Sequence, residues 1–366
     1  MKLIKTLSFL FIRFFNLFFL PCHVRADRIV FSSYFSREPE GNIKCVLDEL
    51  TSRGGYDVRT VFMKYGKSLS GKLRYAANIL KELYYFNTSR LVVLEGNSLV
   101  LAAIPKKKGV FALQLWHASG AFKKFGQDTE RIYKIKGLDA AVVSSRAVKG
   151  IYAEALNVPE ENVHALGIPR LDPLFDEKTV RAYRDEIIEK YPPLKGRKVL
   201  LYAPTFRGKG VDDVAGFHVD LKKISEGLGE EYILAVRLHP LMRDQGLFPG
   251  FADLSREDLL KTLCSTDMLI TDYSSIIFEY SALNRPMLFL TPDLAEYKKT
   301  RGFYRDFATF VPGRICMDEE ELLRAVKAGD LQGEKVAAFA AEYMDYTDGR
   351  STERVVDLID KFMSQK

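Results

Sequence analysis

The chain has 366 residues, 47% hydrophobic and 28% charged, which is enough for two cores and excludes a wholly disordered polymer. Four of its 54 bases, Lys2, Lys5, Arg13 and Arg25, fall in the first 26 positions, which hold no acid; the remainder is close to neutral and carries no footprint for nucleic acid. Cys22, Cys45, Cys264 and Cys316 lie far apart without a C-x-x-C pair, so neither a zinc site nor a disulfide framework is indicated and reduced thiols are expected.

Residues 1–26 open with M-K-L-I-K-T-L-S-F-L-F-I-R-F-F-N-L-F-F-L-P. A spanning helix needs about 20 mostly apolar residues, and this run is short and carries Arg13 and Asn16 in its middle. V-R-A before Asp27 would pass as a cleavage site, which keeps a signal peptide open beside a buried core helix. At about 100° per residue, Lys2, Lys5, Thr6, Arg13 and Asn16 share an arc of roughly 100°, with Phe and Leu over most of the rest. That pattern predicts a helix lying in a membrane surface, its cationic side meeting anionic headgroups.

From Arg28 short β-branched runs alternate with helical stretches. R-I-V-F-S-S, V-R-T-V-F-M, R-L-V-V-L-E-G, G-V-F-A-L-Q-L-W and A-A-V-V-S-S read as buried parallel strands, with an amphipathic helix over residues 68–86 among the intervening stretches. A first Rossmann-like domain is expected over 27–170. The junction H-A-L-G-I-P-R-L-D-P interrupts the pattern with Gly167, Pro169 and Pro173. A second domain over 171–366 repeats the logic in K-V-L-L-Y-A-P-T, Y-I-L-A-V-R-L-H-P, D-M-L-I-T-D-Y-S-S and P-M-L-F-L-T, and ends in three helical stretches, the last of them able to pack back on the first domain. The fold class predicted is α/β, two Rossmann-like domains facing a cleft behind an N-terminal membrane-surface helix.

Ligands of an open α/β sheet sit beyond the carboxyl ends of its strands. The polar residues there are His117, Lys123 and Lys124 after Q-L-W; Thr205 and Arg207 after L-L-Y; Arg237 and His239 after L-A-V; and Thr271, Asp272, Ser274 and Ser275 after M-L-I. A turn with two serines leading into a helix offers hydroxyls, unpaired backbone N–H groups and the positive end of a helix dipole, the makings of a phosphate cradle. Asp272 or Ser274 could equally be a plain helix cap, since no Walker or G-x-G-x-x-G signature is present. Capping, however, accounts for neither R-L-H-P nor P-T-F-R at the neighbouring strand ends. His117 and His239 are the two of the five histidines that end strands beside cations.

The stretch T-D-Y-S-S-I-I-F-E-Y-S-A-L-N-R-P-M-L-F-L-T-P-D-L-A-E-Y-K-K-T-R-G-F-Y-R-D-F resembles the long signature of the CDP-glycerol glycerophosphotransferases of teichoic acid synthesis. Y-A-P-T-F-R, R-L-H-P, G-I-P-R-L-D and D-G-R-S-T-E-R-V-V are similar to further motifs of that family, in order, over roughly residues 27–360. The family's H-G-T-P followed by lysine is replaced by His117-Ala118-Ser119-Gly120 with Lys123 and Lys124, a departure that bears on the acceptor.

The resemblance implies a glycosyltransferase-B fold, peripheral association with the cytoplasmic face of the membrane, and transfer of a polyol phosphate from CDP-glycerol or CDP-ribitol to a hydroxyl of a lipid-linked saccharide. Such a reaction needs a route for the hydroxyl proton and cations or dipoles for the leaving charge. His117 is expected as general base or as a hydrogen-bond partner of the acceptor. Arg207, Arg237, His239, Thr271, Ser274 and Ser275 are expected on the donor phosphates, with His239 alternatively the acid for departing CMP. Asp272 orients the loop, Lys123, Lys124 and Thr205 support the site, and Gly302, Tyr304 and Asp306 either line the acceptor side or belong to an ordinary loop. No acidic pair has metal-ligand spacing, so no metal or cofactor is expected tightly bound, although Mg²⁺ could accompany the nucleotide. The rivals are a nucleotide-sugar glycosyltransferase and a non-catalytic membrane adaptor.

Overall fold

In the computed structural model, which describes residues 2–66, 68–129, 133–205, 219–238, 250–300 and 302–365, the β-branched runs are strands and most of the amphipathic stretches are helices. The chain divides into two units, Met1–Asp172 with Asp345–Lys366, and Pro173–Met344.

The first unit runs α1 (Lys2–Phe19), β1 (Arg25–Ser33), α2 (Gly41–Arg53), β2 (Asp57–Phe62), α3 (Leu69–Thr88), β3 (Ser89–Leu94), α4 (Leu99–Ala103), β4 (Phe111–Leu115), β5 (Ala140–Val143), α5 (Lys149–Leu156) and β6 (Val163–Ala165). Its strands pair in parallel in the order β2-β1-β3-β4-β5-β6. Ile29, Val30 and Phe31, and likewise Leu91, Val92 and Val93, are shut from solvent on both faces, as continuous apolar runs of a covered parallel sheet must be.

The second unit runs α6 (Glu177–Lys190), β7 (Lys198–Ala203), α7 (Leu221–Leu228), β8 (Tyr232–Val236), β9 (Ala252–Asp253), α8 (Leu259–Ser265), β10 (Met268–Thr271), α9 (Ile276–Ser281), β11 (Met287–Leu290), α10 (Leu294–Thr300), α11 (Phe307–Phe310), β12 (Arg314–Cys316), α12 (Glu319–Ala328) and α13 (Glu334–Tyr343). Its parallel order is β12-β11-β10-β7-β8-β9. In each sheet the chain winds one way and then returns to the other side of its first strand. The reversal falls between β1 and β3 in one unit and between β7 and β10 in the other, the places where such sheets open a crevice.

The second unit stops at Met344, short of the expected end at 366, because the last helix, α14 (Ser351–Ser364), belongs to the first. Val355, Val356, Ile359 and Phe362 recur at helical spacing and enter the core of the first sheet beside Ile29, Phe31, Leu91 and Val93. Burying such side chains contributes about 1.5–3 kcal/mol each before ordering costs. The start of α14 is held by Asp172, whose carboxylate accepts from Ser351 N at 2.9 Å, Thr352 N at 2.8 Å and Thr352 Oγ1 at 2.6 Å. Gly167, at φ +87°, lies so close that a Cβ there would stand 2.2 Å from Ser351 Oγ. G-I-P-R-L-D and D-G-R-S-T are thus two halves of one joint.

Helix α1 packs on the first unit partly through its polar arc. Ile12 and Asn16 are buried, and Asn16 Oδ1 accepts from Asn87 Nδ2 at 2.8 Å, while Arg13 Nε reaches the carbonyl of Ala103 at 3.0 Å. Part of the polar arc is therefore consumed by the protein itself. Leu7, Leu10, Phe14, Leu17 and Phe18 stay more than half exposed on the opposite side. Among the described residues no helix is long and apolar enough to cross a membrane.

Candidate active site

At the reversal of the first sheet, β1 ends in Ser33 and β3 is followed by Glu95. Ser33 Oγ donates to Glu95 Oε2 at 2.6 Å and also accepts from Phe35 N at 3.2 Å, which fixes the turn leaving β1. Burial pushes the Glu95 carboxyl up, offset in part by the Ser33 hydroxyl and the charge of Arg170. Gly96 lets the Phe35 ring in, since a Cβ at this glycine would stand 2.6 Å from it. That ring then packs edge-on against the His117 imidazole, centroids 5.0 Å apart, with Trp116 at 4.5 Å on another side.

His117 itself is exposed, on a turn whose backbone is braced from below. Tyr152, buried, shares its hydroxyl between the carbonyls of Ala118 and Gly120, each at 3.2 Å. Asn42 donates from Nδ2 to the Trp116 carbonyl at 2.8 Å and accepts from Arg170 N at 3.1 Å, tying the end of β4 to the G-I-P-R segment. Ser119, where the family signature has a different hydroxyl neighbourhood, is buried with Oγ 3.4 Å from Arg170 Nη2. Lys123 is half-buried and Lys124 exposed just beyond. The first unit thus presents one imidazole at a strand end, with the half-buried carboxyl of Glu95 and the Arg170 guanidinium on neighbouring turns.

The second reversal explains the order of residues in T-D-Y-S-S. Thr271 is fully buried and its hydroxyl donates to Ala203 O at 2.7 Å, linking β10 to β7. Asp272 Oδ1 accepts from Thr205 N at 2.8 Å and Tyr273 N at 2.5 Å, so one carboxylate gathers the backbone of both strand ends. The Tyr273 ring points into the core, stacked 3.8 Å from Tyr297, and its hydroxyl donates to Asp293 Oδ1 at 2.8 Å. With these three turned inward, Ser274 and Ser275 are left half-buried at the entrance to α9, where Ile276 N donates to Ser274 Oγ at 3.3 Å.

Two expected donor ligands are corrected by this geometry. Thr271 spends its hydroxyl between strands and has no exposed surface. Arg237 Nη1 donates to the carbonyls of Leu254 at 2.8 Å and Glu257 at 2.9 Å and to Thr262 Oγ1 at 3.2 Å, so it braces the segment after β9 rather than reaching outward. Burial draws its pKa below the ordinary arginine value. Arg207 and His239 lie outside the described residues. Among those described, no group of three or more His, Cys, Asp or Glu is placed to hold a metal ion.

Sequence reading passed over Glu95, Arg170, Asn42 and Phe35. Their signal is positional: Glu95-Gly96 closes the strand R-L-V-V-L, and Arg170 sits in G-I-P-R-L-D, a motif at the junction to which no site role attaches from sequence.

Two parallel sheets, each with a polar turn at its reversal, define an α/β protein of two units. The chain belongs to the CDP-glycerol:poly(glycerophosphate) glycerophosphotransferase family, whose model matches residues 12–361. It is 36% identical to a teichoic acid ribitol-phosphate primase of Bacillus spizizenii, over 93% of this chain and 92% of the primase. It is 32% identical to a teichoic acid poly(ribitol-phosphate) polymerase of the same organism, over 92% of this chain and 56% of that longer protein. A solved structure of the wall teichoic acid polymerase TagF superposes with a TM-score of 0.77 at 23% identity, covering 99% of this chain and 97% of that one, a likeness of fold.

Proposed function

We propose that the protein transfers a polyol phosphate from a CDP-activated donor to a hydroxyl of a membrane lipid-linked saccharide, releasing CMP, in the synthesis of a teichoic-acid-like surface polymer. The acceptor oxygen attacks the phosphorus that carries the polyol. The bond from that phosphorus to the bridging oxygen breaks, and CMP departs with the electron pair. His117 takes the acceptor proton, a role worth about 10²- to 10⁴-fold in rate. Ser274 and Ser275 hold donor phosphate oxygens through hydroxyls and first-turn N–H groups, Arg207 is assigned to the same phosphates by its motif, and His239 either binds them or returns a proton to CMP.

The observation that carries this reading is the 272–275 turn, at the reversal of its sheet, with Asp272 and Tyr273 turned inward so that the two serines face out. CDP-ribitol ranks before CDP-glycerol as donor, because the two relatives named above both act on ribitol phosphate. The glycosyltransferase-B arrangement belongs to the same proposal, and so does peripheral membrane attachment through the open apolar side of α1.

Purified protein incubated with a lipid-linked acceptor and, in parallel, CDP-ribitol, CDP-glycerol and UDP-sugars tests it. CMP formation from a CDP-polyol is expected, reduced about 10²-fold or more in His117→Ala. Turnover of UDP-sugars alone, or full activity in both His117→Ala and His239→Ala, overturns it.

A further inference from the structure

The second unit contains a cavity of about 410 Å³ away from its strand edges, between α11 and α13. Its floor is made by Phe310, Phe339 and Tyr343, whose rings sit 4.6–5.5 Å apart and tilt 45–78° to one another. Arg305 and Lys335 stand exposed at its rim, and among the described residues neither has an ion-pair partner. The one rim carboxylate, Glu342, adjoins Tyr343, whose phenol pKa is pushed up to about 12 by burial and by this neighbouring charge.

The volume lies in the usual range for ligand sites, roughly 300–1,000 Å³, and the lining pairs an apolar floor with a few polar groups. Two cations against the single carboxylate of Glu342 leave the rim net positive, which favours an anion, and a guanidinium suits phosphate oxygens in particular. The three rings are each at least nine-tenths buried and mutually tilted, so they offer edges and no open face on which a nucleobase could stack. Ring edges instead suit the C–H surface of a flexible polyol. Behind the floor lies Phe278 of α9, 5.2 Å from Phe339 and 5.6 Å from Tyr343, so the cavity wall and the Ser275 turn share one short helix.

We propose that this cavity is a binding subsite for a phosphodiester-linked polyol chain, separate from the donor turn and backed by the helix that the donor turn begins. The inference deepens the reading of the protein as a polyol-phosphate transferase and rests on it. Arg305 and Lys335 bind successive phosphates, and the polyol between them lies over Phe339.

Calorimetric titration of the full chain with a glycerol-phosphate or ribitol-phosphate hexamer, with inorganic phosphate and with CMP separates the outcomes. Arg305→Gln combined with Lys335→Gln is expected to weaken the hexamer at least about tenfold. Ala338→Trp, at an exposed lining position, fills the cavity and abolishes hexamer binding, while both proteins bind CMP as wild type does. Hexamer binding untouched by either variant, inorganic phosphate matching the hexamer, or CMP affinity lost with the hexamer would each overturn the assignment. Hexamer binding that both variants remove in a protein with no CMP affinity sustains the subsite and defeats the donor reading instead.

Discussion

Arg237 illustrates a cation at a strand end that serves the scaffold. Its Nη1 donates to two carbonyls and a hydroxyl around residues 254–262; the Leu254 carbonyl also accepts from Glu257 N and the Thr262 hydroxyl also donates to Asp258 O, so the Glu257 carbonyl depends on Arg237 most. Arg237→Met is expected to cost about 2–4 kcal/mol in urea unfolding, mostly through acceptors left unpaired. Glu82 is a second buried group of this kind: it receives Ser32 Oγ at 2.8 Å, Ser98 Oγ at 3.3 Å and the Tyr34 hydroxyl, yet burial outweighs these donors and pushes its pKa up to about 7. The folded state therefore takes up a proton that the unfolded chain, near 4.5, has already lost. The stability this confers is full below pH 4.5 and lost as pH rises through 7, amounting to about 3 kcal/mol. In Glu82→Gln that part of the slope should vanish, which unfolding of both proteins at pH 5 and pH 8 measures. An unchanged slope would show that Glu82 does not carry it.

At the scale of elements, α1 shows what periodicity leaves open. Helical periodicity distinguishes its two sides but does not say which one meets the protein. Asn87 and the free carbonyl of Ala103 decide that, because they offer Asn16 and Arg13 partners that Phe and Leu cannot use. An apolar strip from Leu7 to Phe18 is left facing outward, larger than isolated exposed hydrophobes would explain. Leu10→Asp with Phe14→Asp should lower sedimentation with anionic vesicles at least about tenfold and leave the unfolding midpoint within error of wild type. A fall in the midpoint with no loss of vesicle binding would mean the strip serves folding.

For the molecule as a whole, legibility followed length and locality. Strands such as R-I-V-F-S-S and K-V-L-L-Y-A announce themselves because a covered parallel strand is an unbroken apolar run. Edge strands β9 and β12, of two and three residues, are too short to set a period, and so is β6, whose three residues run into the junction H-A-L-G-I-P. The 272–275 turn was legible from its residue types, whereas Glu95 and Arg170 owe their positions to partners 62 and 51 residues away, which local pattern cannot express. The inward fate of Thr271, bonded 68 residues back, was hidden for the same reason, and that of Arg237 because its partners lie 17–25 residues on, beyond β9.

The return of α14 to the opening domain makes Pro173–Met344 an insertion within a discontinuous neighbour. During synthesis the inserted half is complete as soon as Met344 has emerged. The half that holds His117 still lacks the side chains that close its core until α14 has emerged as well. The order of assembly is thereby reversed with respect to the order of translation: the segment made second is the first able to finish folding, and the imidazole edge matures last.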